Sequence, residues 1–321
     1  MPKFIYNATV GPDRLVDATH SPSFPTMETA PLEIWTEIFA FACTDDGTTG
    51  RALSAVSRTV HIISMPLKYQ SLCVVGPDRL LKLLAVLSAI PSETRRVRHL
   101  FVASSEKGAD VRGGDHSAER CRQLHIDPEL DVTDQALFRI LHFVSSSLET
   151  LHIHRTEVHR PSILIDMELP RLSSLTLHGT FQSTNLRHPS TFPSLRRICL
   201  HHFVHHPVKF LEQIVHAAPS MTHLHVPQCS FSTYEIQVAL GILQPAGDAS
   251  RLPKSLRNLV IELDPVPTSL DSWAGNIRGE QCRRKFLKIA QRDTRVRTVD
   301  GRNYWMSVAE AKEKWLEDIS C

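Results

Sequence analysis

The sequence predicts an α/β protein with three parts: a small all-α helical module, an irregular solenoid of parallel strands with helices or loops on its outer face, and a C-terminal helical cap. Three observations predict this. A short aliphatic strand pattern recurs six times. Segments of helical periodicity precede several of the recurrences. An unusually apolar pair of helical segments stands before the first of them.

Residues 1–29 hold four prolines and many small polar residues without apolar periodicity, and read as a tail. Pro31 suits a first helical position because it has no N–H to leave unpaired. From there PLEIWTEIFAFACT reads as helix, with Leu32, Trp35, Ile38, Phe39 and Ala42 on one stripe and Ile34 and Phe41 widening it. TDDGTTG breaks the pattern at Gly47 and Gly50. RALSAVSRTVHIIS then places Leu53, Val56, Val60 and Ile63 on a second helical face, ended by Pro66. SLCVV (71–75) reads as a buried strand. PDRLLKLLAVLSAI reads as a third helix, with Leu80, Leu81, Leu84 and Leu87 inward.

The six repeated segments share the form L-x-x-L-x-L with aliphatic substitutions. They are VRHLFV from Val97, LETLHI from Leu148, LSSLTL from Leu172, LRRICL from Leu195, MTHLHV from Met221 and LRNLVI from Leu256. Their starts are separated by 51, 24, 23, 26 and 35 residues, and the central steps match the 20–29-residue period of leucine-rich repeats. Strand alternation sends the aliphatic side chains into a core and the intervening ones onto an open sheet face. DVTDQALFRILHFV, PVKFLEQIVHAA and STYEIQVALGIL are helical, the last beginning with a possible Ser232/Glu235 capping box. Pro170, Pro193 and Pro219 each fall two residues before a repeat, where a helix must already have ended. A polar insertion from Glu106 to Asp131 fills the first gap as a surface loop. The alternative is a non-repetitive α/β domain whose buried strands are all leucine-rich.

After Ser269 the character changes: CRRKFLKIAQRD reads as helix, RVRTVD as an edge strand and VAEAKEKWLEDIS as a closing helix that seals the last repeat. The domain boundaries expected are a tail at 1–29, a helical module at 30–75, a repeat domain at 76–268 and a cap at 269–321.

Bulk properties narrow the function. A net charge of +2 argues against a basic nucleic-acid footprint. Seven scattered cysteines without a Cys-x-x-Cys pair argue against a disulfide framework and for a reducing compartment, cytoplasmic or nuclear. No apolar run approaches the roughly 18–20 residues that span a membrane; Leu80–Ile90, interrupted by Lys82, is too short. No nucleophile elbow, phosphate-binding glycine loop or His-Glu-x-x-His motif is present, so a non-catalytic chain without a cofactor is expected. VVGPDR (74–79) has one glycine followed by proline, too little for a phosphate site. Arg95, Arg96, Arg98, Arg283 and Arg284 read as a solvated edge.

Residues 28–75 resemble an F-box, the short helical motif that docks on a Skp-type adaptor in cullin–RING ubiquitin ligases, and most resemble the F-box-like proteins of mushroom-forming fungi. Pro31 matches the opening proline, Glu33-Ile34 the acidic–aliphatic pair and Ile38-Phe39 the paired hydrophobics. Leu53, Val56, Ser57 and Arg58 fall on the second-helix pattern, where cysteine is commoner than Ser57. Val60 replaces a usual tryptophan, and TDDGTTG lengthens the first turn. The resemblance implies adaptor contacts at Pro31, Leu32, Ile34, Trp35, Ile38, Phe39, Leu53 and Val56. It implies a substrate-receptor subunit whose repeat face holds a protein substrate; the alternative is a repeat scaffold without ligase docking. Independently of the resemblance, a helix apolar on two sides, in a module too small to cover both, presents one to a partner. Otherwise that side is core for the Leu80–Ile90 helix.

Histidine is abundant, at 18 residues, and unevenly placed. His99, His152, His154, His178, His201, His223 and His225 take outward positions of the repeat strands. His154, His178 and His201 follow the last aliphatic of three successive repeats and should form one column about 4.8 Å apart. Three roles stay open: tolerated residues on a half-exposed sheet, a recognition surface, or a metal site. No cysteine or carboxylate stands at standard ligand spacing, so no metal is expected. Recognition through this face predicts binding that changes between about pH 6 and 7. It also predicts that capture is lost, without unfolding, when His154, His178 and His201 become alanine. The dense HHFVHH (201–206) reads as solvated loop.

Overall fold

The computed structural model describes residues 30–104, 128–155, 162–163, 167–179, 181–182, 191–201, 210–227, 233–243, 252–263, 273–301 and 306–320. The 1–29 tail, most of the Glu106–Asp131 insertion, Ser232 of the capping box and His202, His205 and His206 lie outside them.

Three short helices open the chain: α1 (Leu32–Ala42), α2 (Thr48–Leu53) and α3 (Arg58–Ser64). Pro31 caps α1 from one position earlier than expected, its carbonyl accepting from the Ile34 N–H at 3.1 Å. The break is organised by Asp45, whose carboxylate accepts from the backbone N–H of Gly47 (2.9 Å) and Thr49 (2.7 Å). The single second helix expected over 51–64 is two helices. Ser57 interrupts it, extended and capping α3 by accepting from the Val60 N–H at 3.2 Å. Val56 therefore lies in a turn and is exposed, not on a continuous helical face. Phe39, Cys43, Val60, Ile63 and Leu67 form the module's own core, with Trp35, Ala40 and Leu53 against it. Val60 is thus a core residue.

The remaining architecture is an α/β fold around one open sheet of eight parallel strands. In chain order the strands are β1 (Ser71–Val75), β2 (His99–Ala103), β3 (Thr150–His154), β5 (Ser174–His178), β7 (Arg197–His201), β8 (His223–Pro227), β9 (Asn258–Leu263) and β10 (Val296–Asp300). Each pairs with the one before it, the ordering of a solenoid. A two-stranded side sheet, β4 (Ser162–Ile163) with β6 (Phe181–Gln182), was not expected from sequence. All six repeated segments end in strands. The residue opening each (Val97, Leu148, Leu172, Leu195, Met221, Leu256) is buried at the turn before its strand. Successive turns are laced together: Ser147 Oγ donates to the Val97 carbonyl (2.9 Å), Ser173 Oγ to that of Glu149 (2.9 Å) and Ser255 Oγ to that of Met221 (2.8 Å). Because β1 pairs with β2, residues 71–75 belong to the sheet and not to the helical module where the boundary at 75 placed them.

One face of the sheet carries α4 (Pro77–Ala89), α5 (Pro128–Val144), α6 (Phe210–Ala217), α7 (Thr233–Ala239) and α8 (Trp273–Arg292). Their apolar residues join the aliphatic columns Leu100–Leu151–Leu175–Ile198–Leu224–Leu259 and Val102–Ile153–Leu177 in one continuous core. On α4 the inward residues are Leu80, Leu83 and Leu87; Leu81, expected inward, is exposed.

The closing helix α9 (Val308–Ser320) does not seal the last repeat. It crosses the opposite face of the sheet and packs on β2 and β3. A Ser307–Glu310 capping box starts it: Ser307 Oγ accepts from the Glu310 N–H (3.2 Å), and Glu310 accepts from the Ser307 N–H (2.8 Å). Val308, Ala311 and Trp315 bury against Phe101 and Ala103. Polar ties pin it: Met306 O to His154 Nε2 (2.8 Å), Lys312 to Asp46 (2.7 Å) and Asp318 to Arg197 (3.2 Å).

The helical module is fastened to the sheet edge by Gln70 Nε2 donating to the Ala40 carbonyl (2.7 Å) and by Ser71 Oγ donating to that of Asp45. Gly47 sits in this joint with φ 87°, and a Cβ there would stand 2.9 Å from Ser71 O. Left-handed backbone alone costs a non-glycine residue about 1–2 kcal/mol. Gly47→Ala should therefore lower the urea midpoint by at least that equivalent; an unchanged midpoint would mean the joint is not tight.

Candidate functional site

Two surfaces gather the residues singled out by sequence. The first is the module's outer side. Of its eight contact residues, Pro31, Leu32, Ile34, Ile38 and Val56 are exposed, Trp35 and Leu53 are half-buried, and Phe39 is buried at 6%. Phe39 is a core residue, so its place among the contacts is corrected: its ring lies 5.8 Å from Trp35 within the helix packing. Phe41, at 80% exposure, and Ile62, at 70%, extend the apolar surface beyond the expected set. The α4 leucines Leu80, Leu83 and Leu87 join the sheet core, not the module's cluster. The outer side of α1 is therefore not their packing surface.

The second surface is the strand face that carries the histidines. The register aligns His154, His178 and His201 across β3, β5 and β7 as expected, and aligns Phe101, His152, Thr176 and Cys199 one pleat earlier. His178 stacks on His201 with ring centroids 4.2 Å apart and on His152 at 5.0 Å. The face is not open, however. His99, His152, His154, His178 and His201 are all buried; His154 is bonded to the Met306 carbonyl just before α9, and His152 packs on Phe101, which Trp315 of α9 covers. Among the described residues the face emerges towards β8–β10, with His223 and His225 half-buried and Arg257 and Arg297 exposed. Replacing His154, His178 and His201 by alanine would thus hollow a packed layer, and unfolding is the expected result where folded loss of capture was anticipated.

Burial also moves the titration window. Desolvation, with Arg98 nearby, lowers His99 to about 4. Desolvation, helped by His154, His201 and Lys314, holds His152 well below the ordinary imidazole value. Both are neutral at pH 7, so the expected change between pH 6 and 7 does not come from them. Below the unfolded value near 6.5 the unfolded chain binds protons that the folded chain refuses, so stability falls with pH. The loss begins near 6.5 and, for His99, levels off near 4, at up to about 1.4 kcal/mol per pH unit for each imidazole. His225 runs the other way: raised by Cys199 and Glu262 against its desolvation, it stabilises most at low pH. Urea titrations at pH 7, 6 and 5 should show a falling midpoint; a constant one contradicts the buried neutral layer.

Where the face emerges, three strands bring together a group that spacing did not reveal. His201 Nδ1 lies 3.2 Å from Glu262 Oε2, and His225 Nε2 lies 3.5 Å from the same oxygen. The ligand atoms of His201, His225 and Glu262 are all within 4.8 Å of one another. Glu262 is held well below the usual carboxylate range by these two imidazoles. One signal could have found it. The residue after the last aliphatic of each repeat is, in order, Ala103, His154, His178, His201, Pro227 and Glu262, so the glutamate belongs to the histidine column.

The arginine edge is spent on local structure. Arg98 makes a two-pronged contact with Glu149 (2.9 and 2.8 Å), Arg95 lies 4.6 Å over the Phe143 ring, Arg284 pairs with Glu280 at 3.0 Å, and Arg283 pairs with Asp300. Burial raises the thiols of Cys43 and Cys73 to about 11, leaving them unreactive. Among the described residues no helix is long and apolar enough to cross a membrane.

The fold and site together define a solenoid-like α/β protein with an exposed apolar helical module at one edge of its sheet. No protein-family model matches the chain, and no curated protein matches it.

Proposed function

We propose that the chain is a substrate-receptor subunit of a Skp–cullin–F-box ubiquitin ligase, its N-terminal helices acting as an F-box and its sheet domain as a degenerate leucine-rich-repeat platform. The observation that carries this is the module's division of labour. Phe39, Cys43, Val60, Ile63 and Leu67 satisfy its core, while Leu32, Ile34, Ile38, Phe41 and Val56 remain in solvent. Large apolar side chains on one small module are costly to leave exposed and mark a partner surface. The partner is a Skp-type adaptor and, through it, a cullin–RING ligase.

The protein substrate binds on the β8–β10 part of the strand face, beyond the reach of α9. Arg257 and Arg297 give that part a cationic rim suited to an acidic segment. No bond chemistry is performed by this chain; tethering substrate near the ligase raises its effective concentration. Co-expression with a Skp-type adaptor followed by size-exclusion chromatography tests the docking half of the proposal, and a failure to co-elute would leave a repeat scaffold without ligase function.

A further inference from the structure

We propose that His201, His225 and Glu262 form a binding site for a divalent transition-metal ion of the zinc type, joining β7, β8 and β9. This stands independently of adaptor docking. The three residues lie far apart in sequence but on one face of adjacent strands. Cys199 pairs with His225 across β7 and β8, and Pro227 faces Glu262 across β8 and β9. Glu262 and His201 sit on strands either side of β8, and their side chains meet above the Pro227 end, where no long side chain intervenes.

The distances fit the chemistry. Ligands about 2.0–2.1 Å from a tetrahedral zinc ion lie about 3.3 Å from one another. The two contacts to Glu262 Oε2, at 3.2 and 3.5 Å, are of that length. Two imidazoles and one carboxylate are a donor set that zinc sites use when they keep a fourth position open. Cys199, hydrogen-bonded to His225, stands beside the three ligands.

The surroundings point the same way. His201 Nε2, His225 Nε2 and both ring nitrogens of His178 are buried without a hydrogen-bond partner. A buried polar atom left unpaired costs about 1–3 kcal/mol. One of these nitrogens, His225 Nε2, is the atom that faces Glu262, so an unpaired buried nitrogen at this site has a cation as its natural partner. Glu262 supplies the negative charge that such an ion requires.

The test uses the full-length chain, stripped with a chelator and titrated with Zn2+ at neutral pH in competition with a chromophoric chelator. One tight equivalent is expected. Glu262→Gln, which preserves shape, and His225→Gln should each weaken it by more than the roughly 10–100-fold that outer-shell changes cost. His205→Gln/His206→Gln, in the HHFVHH segment, should leave it unchanged. Cobalt(II) on the wild-type chain should give the intense visible bands of a four-coordinate ion. The proposal is overturned by no tight equivalent, by unchanged affinity in Glu262→Gln and His225→Gln, by loss confined to the His205/His206 variant, or by a six-coordinate cobalt spectrum.

Discussion

Trp315→Ala is expected to destabilise the protein by about 3–5 kcal/mol, the cost of emptying a buried tryptophan site. Trp315 is 2% exposed and packs on Phe101 with ring centroids 5.5 Å apart, at the centre of the cluster that holds α9 on the sheet. The polar ties of α9 cannot replace it. Arg197–Asp318 is an exposed pair and Lys312–Asp46 a partly exposed one, each worth at most about 1 kcal/mol. Loss of the tryptophan should therefore loosen α9 first and admit water to His152 and His178. Amide exchange in residues 308–320 should accelerate before the rest of the sheet does. Trp315→Phe makes the companion expectation sharper. The indole Nε1–H is buried without a partner, so phenylalanine removes an unsatisfied donor while keeping most of the contact. Its urea midpoint should lie far closer to wild type than that of the alanine variant. Equal damage from both would show that α9 is not held by packing.

The second large effect concerns the helical module. Leu32→Asp/Ile38→Asp should weaken adaptor binding by at least about 100-fold while leaving the fold intact. The two residues are 57% and 48% exposed, so the free protein loses almost no packing. In a desolvated interface each large apolar anchor contributes about 2 kcal/mol or more, and a buried carboxylate adds its own penalty. Phe39→Ala is the contrasting control: it should melt the module, because Phe39 fills the core with Val60 and Ile63. A complex that survives the double aspartate change would place the docking surface elsewhere.

Much of the sheet was legible because its signal is local. In each repeat two alternating aliphatics define a strand, and a third, such as Leu148 or Leu195, defines the turn before it, so all six segments were recognisable without knowledge of their neighbours. The histidine column followed from the same alternation. What covers that column was not legible. Val308, Ala311 and Trp315 announce a helix, but nothing in their spacing says which surface they bury against. Phe39 and Leu81 exchanged their expected roles for a related reason: on a helix apolar around much of its circumference, periodicity names candidates for burial without ranking them. The meeting of His201 with Glu262 depends on strand register across β8, a non-local property, and 61 residues of chain separate the two. Their shared position after the last aliphatic was the one available clue.

On the function proposed above, the exposed face of α1 holds an adaptor. The most direct measurement is co-expression of the full-length chain with a Skp-type adaptor, followed by size-exclusion chromatography with mass determination. Receptor function predicts a stable one-to-one complex that the Leu32→Asp/Ile38→Asp chain fails to form. A wild-type chain that folds, keeps α1 intact and elutes apart from the adaptor would contradict it.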